Sequence, residues 1–179
     1  MPLTPKQLFD CLDQLAIPAV THQHAAVFTV EESAHVTAGI EGGHTKNLFL
    51  KDKKGNYFLI VAETSARIEL NKIHSLVGAK SRLSFANAQE LMQFLGVTPG
   101  SVNAFAPIND AGGKVAVVID AALLSHDMIN CHPLTNTMTT TISRQDLLRF
   151  LDHAGHRPLI AQLSASQATH EFLAAGKAG

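Results

Sequence analysis

The chain has 179 residues, of which 46% are hydrophobic and 16% are charged, and its formal net charge at pH 7 is −1. This length and composition predict one compact domain with a sizeable core and exclude a disordered chain. A near-neutral charge argues against a protein that binds DNA electrostatically, and no apolar run approaches the roughly 20 residues of a membrane-spanning helix. The opening MPLTPKQLFD lacks the basic-then-apolar order of a signal peptide, so we expect a cytoplasmic protein with no membrane partner.

The N-terminal quarter of the chain predicts two capped helices with a short strand between them. The first helix has Thr4 as its N-cap and ends before Pro18, and the strand follows near residues 19–22. TVEESAHVTAG predicts a second helix, which begins with a capping box formed by Thr29 and Glu32.

The middle of the chain predicts a hairpin and two further helices. KNLFLKDKKGNYFLIVA reads as two apolar strands joined by a charged, glycine-containing turn. A helix is expected from about Asn71 to Val77, and RLSFA is expected to be a short strand. NAQELMQFLG predicts a helix capped by Asn87 and ended by Gly96.

The C-terminal third predicts a loop, two strands and a helix. VTPGSVNAFAPINDAGG is loop-rich, KVAVVIDAALL predicts a central strand that leads into a helical turn, and NTMTTTIS predicts another strand. Ser143 is expected to cap the last helix, and residues 164–179 form an Ala/Ser-rich tail that frays or forms a loose helix. Strands outnumber the crossover helices of a regular doubly wound fold. We therefore predict one mixed α/β (α+β) domain over residues 1–163, with a curled or barrel-like mixed sheet and helices packed outside.

Ten histidines and two cysteines require metal and thiol chemistry to be considered. His22 with His24, and His153 with His156, are spaced closely enough to bind one metal ion. Neither pair has an acidic or cysteine partner at a recognisable spacing. No HExxH motif occurs, so we expect no metal and no cofactor. Cys131 precedes a histidine, which leaves a thiol nucleophile as an alternative.

The stretch GHTKNLFL places Lys46 where a glycine-rich loop enters an apolar strand. This lysine is either a solvated charge at a strand end or a cation directed into a cleft. Residues 44–82 carry eight Lys and Arg against three Asp and Glu, whereas residues 1–43 carry one against five. The basic middle indicates one local anionic partner, or else a charged hairpin that keeps a sheet edge soluble.

Three segments, taken in order, resemble the YbaK-type family of aminoacyl-tRNA editing domains, which includes the insertion domain of bacterial prolyl-tRNA synthetase. They are HTKNLFLKDKKGNYFLIV, LGVTPGSVNAFAPIND and HPLTNTMTTTISRQDLLRFL. These are similar to the family's lysine strand and hairpin, its glycine/proline substrate loop, and its C-terminal strand and helix. The resemblance runs from about residue 2 to residue 163. HPLTNTMTTTIS is most similar to the freestanding members that deacylate alanyl-tRNA(Pro).

The resemblance implies a hydrolase that cleaves the ester between a wrong amino acid and the terminal adenosine of tRNA. Lys46 is then the family's essential lysine, acting either on the terminal phosphate or on the ester. Asn47 would contact the adenosine, and Gly100 and Ser101 would belong to the substrate loop. His132, through its side chain or its backbone, would hold the α-amino group or the water; a histidine that only fixes the following turn is the alternative.

The implied partner is the acceptor end of tRNA(Pro), with prolyl-tRNA synthetase as a transient partner. Lys51, Lys80 and Arg82, together with Lys53 and Lys54, are the candidate contacts to acceptor-stem phosphates or end bases.

Two other functions stay open: a cysteinyl-tRNA(Pro) deacylase, and a non-catalytic tRNA-binding or regulatory module of the same fold. Correct prolyl-tRNA would escape hydrolysis because the pocket is too small for the pyrrolidine ring. We expect the pocket wall to come from the NTMTTT strand and the Gly96–Ser101 loop, with Met138 as a flexible element.

Overall fold

The computed structural model describes residues 1–164, and the expected Ala/Ser-rich tail lies outside the described residues except for Ser164. Within residues 1–164 there are four α-helices: α1 (Pro5–Gln14), α2 (Val30–Thr37), α3 (Ala88–Leu95) and α4 (Arg144–His153). Eight strands accompany them: β1 (Ala19–Gln23), β2 (Gly43–Lys51), β3 (Tyr57–Glu63), β4 (Ser84–Phe85), β5 (Val115–Asp120), β6 (Met128–Cys131), β7 (Met138–Ser143) and β8 (Leu159–Ala161). Short 3₁₀ helices lie at Ala106–Asn109 and Ala121–Ser125.

The helices begin where their caps predict. Thr4, Thr29 and Asn87 each accept a hydrogen bond from the third helical N–H in a capping box, and Ser143 accepts one from the N–H of Asp146. Gly96 ends α3 in the left-handed conformation, with φ of 65°. All four predicted caps are therefore confirmed.

The strands form one mixed sheet in the order β1-β7-β6-β2-β3-β5-β8, and β4 pairs with β2. The predicted hairpin is confirmed as the antiparallel β2–β3 pair, while β3–β5, β5–β8 and β2–β6 are parallel. β2 lies between β6 and β3: its residues 43–44 pair with β6 on one side, and its residues 45–51 pair with β3 on the other. The predicted mixed α/β class is correct.

One face of the sheet carries the main core. Strand residues such as Phe49, Leu59 and Ile119 pack there against the buried sides of α1, α3 and α4. Phe105, from the loop before the first 3₁₀ helix, meets Phe150 of α4 edge to face, with ring centroids 5.2 Å apart.

The opposite face is covered without a regular helix. Ile73 and Val77 pack there on Leu50, Phe58 and their neighbours. The helix expected from Asn71 to Val77 is therefore wrong: isolated turns occur instead, such as the bond from the N–H of Val77 to the carbonyl of Ile73. Gly78, with φ of 77°, lies in the left-handed region directly after Val77. The segment before it is therefore too short to propagate a helix.

A buried carboxylate fastens the hairpin turn to the segment that follows residue 78. Asp52 accepts hydrogen bonds from the N–H groups of Lys54, Asn56 and Lys80, and also from the side-chain amide of Asn56, at 2.8–3.0 Å. Lys53 donates its N–H to Ser81 Oγ at 2.8 Å. The two loops consequently form one connected tip at the end of β2.

Two strands were not predicted, and both complete the sheet. β6 pairs with β2 and β7, and β8 pairs with the outer side of β5. Among residues 1–164, no helix is both long enough and apolar enough to cross a membrane.

Candidate functional site

A cleft of about 200 Å³ opens beside β2. One wall is the segment that leads into α2, from Val27 to Thr29, together with Ser33 of the helix itself. The facing walls come from β2, from the loop after α3 and from the turn after β6. These walls bring together Lys46, Asn47, Gly100 and His132, four residues that the sequence assigned to one site.

Lys46 lines the cleft and is only partly exposed. Its amine donates a hydrogen bond to the carbonyl of Ala66. Burial lowers the pKa of Lys46, and the carboxylate of Asp120 acts in the opposite sense. This lysine is therefore not a freely solvated strand end, which weakens the first of the two interpretations of its position.

Asp120 is a buried carboxylate that sequence reasoning did not single out. It ends β5 and accepts hydrogen bonds from the N–H groups of Leu163 and Ser164, and from the Ser164 hydroxyl. Ile119, the residue before Asp120, pairs with Val61 of β3, and the next residue of β3, Ala62, pairs with Lys46. An acidic residue directly after the apolar run VAVVI was the available signal.

Asn47 carries a polar atom that is unsatisfied in the described part of the chain. Its Oδ1 is buried and has no hydrogen-bond partner within residues 1–164. A buried acceptor without a donor costs about 1–3 kcal/mol. Asn47 also lines the cleft, so this unsatisfied acceptor belongs to a residue at the site itself.

The loop after α3 offers backbone to the cleft. Gly100 lines it with φ of 87°, in the left-handed region that favours glycine. Val102 lines it as well, whereas the residue between them, Ser101, is 8% exposed and donates its N–H to the Thr98 carbonyl at 3.0 Å. The buried side chain of Asn103 donates to the Ser101 carbonyl at 2.7 Å and holds the loop.

His132 presents one ring nitrogen to its surroundings as an acceptor. Its Nδ1 lies 2.9 Å from the carbonyl of Met138, so Nδ1 carries the proton of the neutral ring and Nε2 keeps a lone pair. Burial lowers its pKa, the bond to Met138 opposes this, and nearby His24 lowers it further. The His24 and His132 ring centroids are 6.1 Å apart, and His24 Nε2 lies 2.9 Å from Thr139 Oγ1.

The threonine-rich strand β7 supports the cleft from behind. Thr140 is buried and shares a hydrogen bond of 2.8 Å with Thr21, and Thr141 donates to Asn130 at 2.6 Å. The apolar residues of the described chain that line the cleft are instead Val27, Phe28 and Val102, whereas Met138 of β7 does not line it. Val27 is fixed by two hydrogen bonds to Asn136: its N–H donates to the Asn136 carbonyl, and the Asn136 side-chain amide donates to the Val27 carbonyl. These bonds join the NTMTTT segment, which was expected to form the wall, to the segment before α2, which does form it.

The thiol and metal alternatives are not supported by the geometry. Cys131 is 1% exposed, and burial raises its pKa to about 12, so the nucleophilic thiolate is disfavoured. His156 is buried with both ring nitrogens 3.0 Å from backbone carbonyls. In the part of the chain that the structure describes, no three His, Cys, Asp or Glu side chains cluster as metal ligands.

The expected tRNA-contacting residues lie at the end of β2, five residues along the strand from Lys46, and in the loops beyond it. At about 3.3 Å per residue, the end of the strand is about 17 Å from Lys46. Lys53, Lys54, Lys80 and Arg82, which we call the basic tip, are all exposed. Lys51 differs, because its amine lies 2.6 Å from Glu90 Oε1 in a partly buried ion pair.

The fold is shared with solved structures. A candidate trans-editing enzyme for prolyl tRNA synthetase superposes with a TM-score of 0.69 over 92% of this chain and 99% of that chain, at 21% identity. A hypothetical protein, APE2540, superposes with a TM-score of 0.70 over 89% of this chain and 99% of that one. By fold, the molecule is a mixed α/β domain like these two structures.

Sequence comparison gives the family. The model of the aminoacyl-tRNA editing domain matches residues 24–150. A prolyl-tRNA synthetase associated domain-containing protein 1 from Danio rerio is 38% identical over 157 residues, covering 87% of this chain and 85% of the relative. The prolyl-tRNA editing protein ProX of Acetoanaerobium sticklandii is 33% identical over 146 residues, covering 81% and 88%. The chain belongs to the aminoacyl-tRNA editing domain family.

Proposed function

We propose that this protein is a trans-editing deacylase that hydrolyses the ester of mischarged alanyl-tRNA(Pro). The observation that carries the proposal is the small cleft that unites Lys46, Asn47, Gly100 and His132. The relative named as a prolyl-tRNA editing protein supports the choice of tRNA(Pro). Prolyl-tRNA synthetase is the proposed transient partner, since an alignable region also occurs within a Schizosaccharomyces pombe protein named as a proline–tRNA ligase.

The proposed chemistry uses water as the nucleophile. An aminoacyl ester is already activated, so orientation of the water and stabilisation of the oxyanion suffice for catalysis. His132 Nε2 is an acceptor for a proton of the α-amino group or of the water. Asn47 Oδ1 accepts from a ribose hydroxyl, and the Lys46 amine binds the terminal phosphate or polarises the ester. The backbone at Gly100 allows close approach of the substrate.

The proposed tRNA contacts are Lys51, Lys80 and Arg82. Lys80 and Arg82 are exposed at the basic tip and are available to acceptor-stem phosphates. The Lys51 amine reaches a phosphate only by leaving Glu90, so Lys80 and Arg82 carry most of this proposal.

Deacylation of alanyl-tRNA(Pro) and prolyl-tRNA(Pro) by the purified protein tests the proposal. We expect turnover of the alanyl ester and little of the prolyl ester. Equal hydrolysis of both, or of neither, would overturn it. Faster hydrolysis of cysteinyl-tRNA(Pro) in the same assay would favour the cysteinyl alternative, because a small pocket separates side chains of similar size poorly.

Lys46→Ala separates an enzyme from a binding module. We expect kcat/KM to fall by about 10²-fold or more, as for loss of one electrostatic stabiliser of a transition state. Thermal unfolding should remain near that of the wild type. Lys72→Ala is the control, since Lys72 is an exposed lysine outside the cleft that pairs with Glu69. A slow rate that is the same in wild type and Lys46→Ala would indicate a non-catalytic module.

A further inference from the structure

A second cavity, of about 410 Å³, adjoins the cleft on the other side of α2. Ser33 of α2 and Thr64 after β3 line both spaces. Small-ligand sites in proteins usually measure about 300–1,000 Å³. The cleft of about 200 Å³ is below that range, whereas the adjoining cavity falls within it. Because Ser33 and Thr64 line both spaces, a single ligand that extends past these two residues would occupy the cleft and the adjoining cavity together.

The cavity offers several hydrogen-bond acceptors, and the hydroxyls of Ser33 and Ser65, which also line it, can donate as well as accept. The hydroxyl of Thr37 donates to the Ser33 carbonyl at 2.6 Å, and the hydroxyl of Thr64 donates to the His44 carbonyl at 3.0 Å, so each keeps only lone pairs for a ligand. His44 Nε2 lies 2.8 Å from the Ile40 carbonyl, which leaves its Nδ1 as an acceptor in the neutral ring.

The charge in the cavity is negative. Glu63 lines it and contacts His126 Nε2 at 3.3 Å, and a carboxylate accepts several hydrogen bonds at once. The residues that line the cavity, all within the described chain, include no lysine or arginine. A phosphate is therefore disfavoured here, whereas a neutral group that carries both N–H donors and acceptor nitrogens fits.

We propose that this cavity, which we call the α2 cavity, binds the base of the terminal adenosine of the tRNA. This inference rests on the proposed function. The aminoacyl ester occupies the cleft, and the ribose lies at the Ser33–Thr64 boundary. The exocyclic amine of adenine, which is a donor, points to the acceptors of the cavity. The 5′-phosphate stays on the side of Lys46, the cation of the cleft.

The α2 helix offers a matched pair of variants. Ala34 lines the cavity, and His35, the next residue on α2, does not. Ala34→Leu adds bulk to the cavity, while His35→Leu places the same side chain on the same helix outside it. Ser65→Phe fills the cavity from the wall opposite α2 and does not alter the helix.

Isothermal titration calorimetry with adenosine 5′-monophosphate and with ribose 5-phosphate isolates the contribution of the base to the affinity, because ribose 5-phosphate lacks the base. In the wild type and in His35→Leu we expect adenosine 5′-monophosphate to bind at least tenfold more tightly than ribose 5-phosphate. In Ala34→Leu and Ser65→Phe this ratio should fall towards one, with ribose 5-phosphate binding unchanged. A ratio near one in the wild type, or an undiminished ratio in both filled variants, would overturn the inference.

This measurement needs no turnover. If the wild type fails to hydrolyse any aminoacyl-tRNA(Pro) but keeps the adenine preference, the proposed function fails and the nucleoside site remains. If hydrolysis occurs without an adenine preference, the editing function stands and the α2 cavity has no part in it. Thermal unfolding of each variant identifies a filled variant that has lost its fold, and the other filled variant then decides.

Discussion

At the scale of single residues, His132 contributes one acceptor nitrogen to the cleft, and it does so only when the ring is neutral. Because burial lowers its pKa, we expect the acid limb of kcat/KM to lie below the usual histidine value of about 6.5. Activity should therefore persist at mildly acidic pH and fall only when His132 becomes protonated. A pH–rate profile with alanyl-tRNA(Pro) measures this limb.

His24 provides the internal check on that assignment. His24 also lowers the pKa of His132, so His24→Asn should move the acid limb to higher pH. His22→Asn is the control, because His22 is exposed on β1, two residues before His24. An acid limb that stays in place in His24→Asn would assign it to another group.

The exclusion of proline is argued at the same scale. Val27 is 4% exposed, lines the cleft and is held by Asn136, so its methyl groups form a rigid wall. The pyrrolidine ring exceeds the alanine side chain by two methylenes, and overpacking costs about 1–3 kcal/mol, which corresponds to about 5–150-fold in rate. Val27→Ala removes two carbons, so we expect prolyl-tRNA(Pro) hydrolysis to rise within that range while alanyl turnover persists.

Val102→Ala tests the facing wall in the same assay, and Val20→Ala is the control because Val20 is exposed on β1. If prolyl hydrolysis stays at the wild-type level in both cleft variants, the rejection of proline does not come from these valines.

The sequence predicted four residues that lie together in the cleft, but it did not predict the apolar walls of the cleft. Lys46, Asn47, Gly100 and His132 lie in segments with recognisable motifs, and the cleft contains all four. Val27 lies in a loop with no periodic pattern, and only the folded chain brings it to the cleft. Ser101 was assigned with Gly100, but the turn buries Ser101 beneath the loop.

At the scale of elements, local sequence signals predicted the four α-helices. The two strands that were not predicted, β6 and β8, depend on pairing with residues far away in the sequence. Caps and the hairpin turn depend on residues within a few positions of one another, and these predictions are confirmed. β8 has only three residues, and within residues 1–164 it pairs with β5, about 40 positions earlier. The segment covering the second face of the sheet is apolar at helical spacing, yet tertiary packing holds it as separate turns.

The joined loops of the tip give a prediction about acid stability. Burial raises the pKa of Asp52, but hydrogen bonds from Asn56, Lys80 and Lys54 together outweigh it and lower the pKa to about 2. A carboxylate with a depressed pKa in the folded state stabilises the protein above its ordinary pKa of about 4, and this contribution is lost as the pH falls towards 2. We therefore expect Asp52→Asn to lower the urea midpoint at pH 7, and the difference from wild type to shrink below pH 4.

Asp13→Asn is the comparison, because Asp13 is an exposed carboxylate on α1. Its urea midpoint should follow the wild type at both pH values. A wild-type advantage over Asp52→Asn that persists unchanged at pH 2.5 would show that the charge of Asp52 is not what joins the two loops.

At the scale of the whole molecule, a net charge of −1 conceals an uneven distribution. The acidic residues of the first 43 positions lie mainly on α1, on α2 and beside them, whereas the basic tip lies at the far end of the hairpin. The tip lies beyond the end of β2, which is about 17 Å from Lys46, so a nucleic acid whose end enters the cleft would meet the tip only with nucleotides beyond the terminal one. We therefore predict that the tip contributes to tRNA binding and not to the chemical step.

This division predicts how charge reversal affects the kinetics. Arg82→Glu should raise KM for alanyl-tRNA(Pro), leave kcat nearly unchanged, and reduce the slope of log affinity against log salt concentration by about one for a lost phosphate contact. Lys6→Glu makes the same charge change at an exposed position of α1, outside the tip, and should leave the slope unchanged. Measurements from 50 to 200 mM salt cover the range in which such contacts weaken strongly. If both variants shift KM equally, only the net charge matters, and if neither does, the tRNA lies on another face.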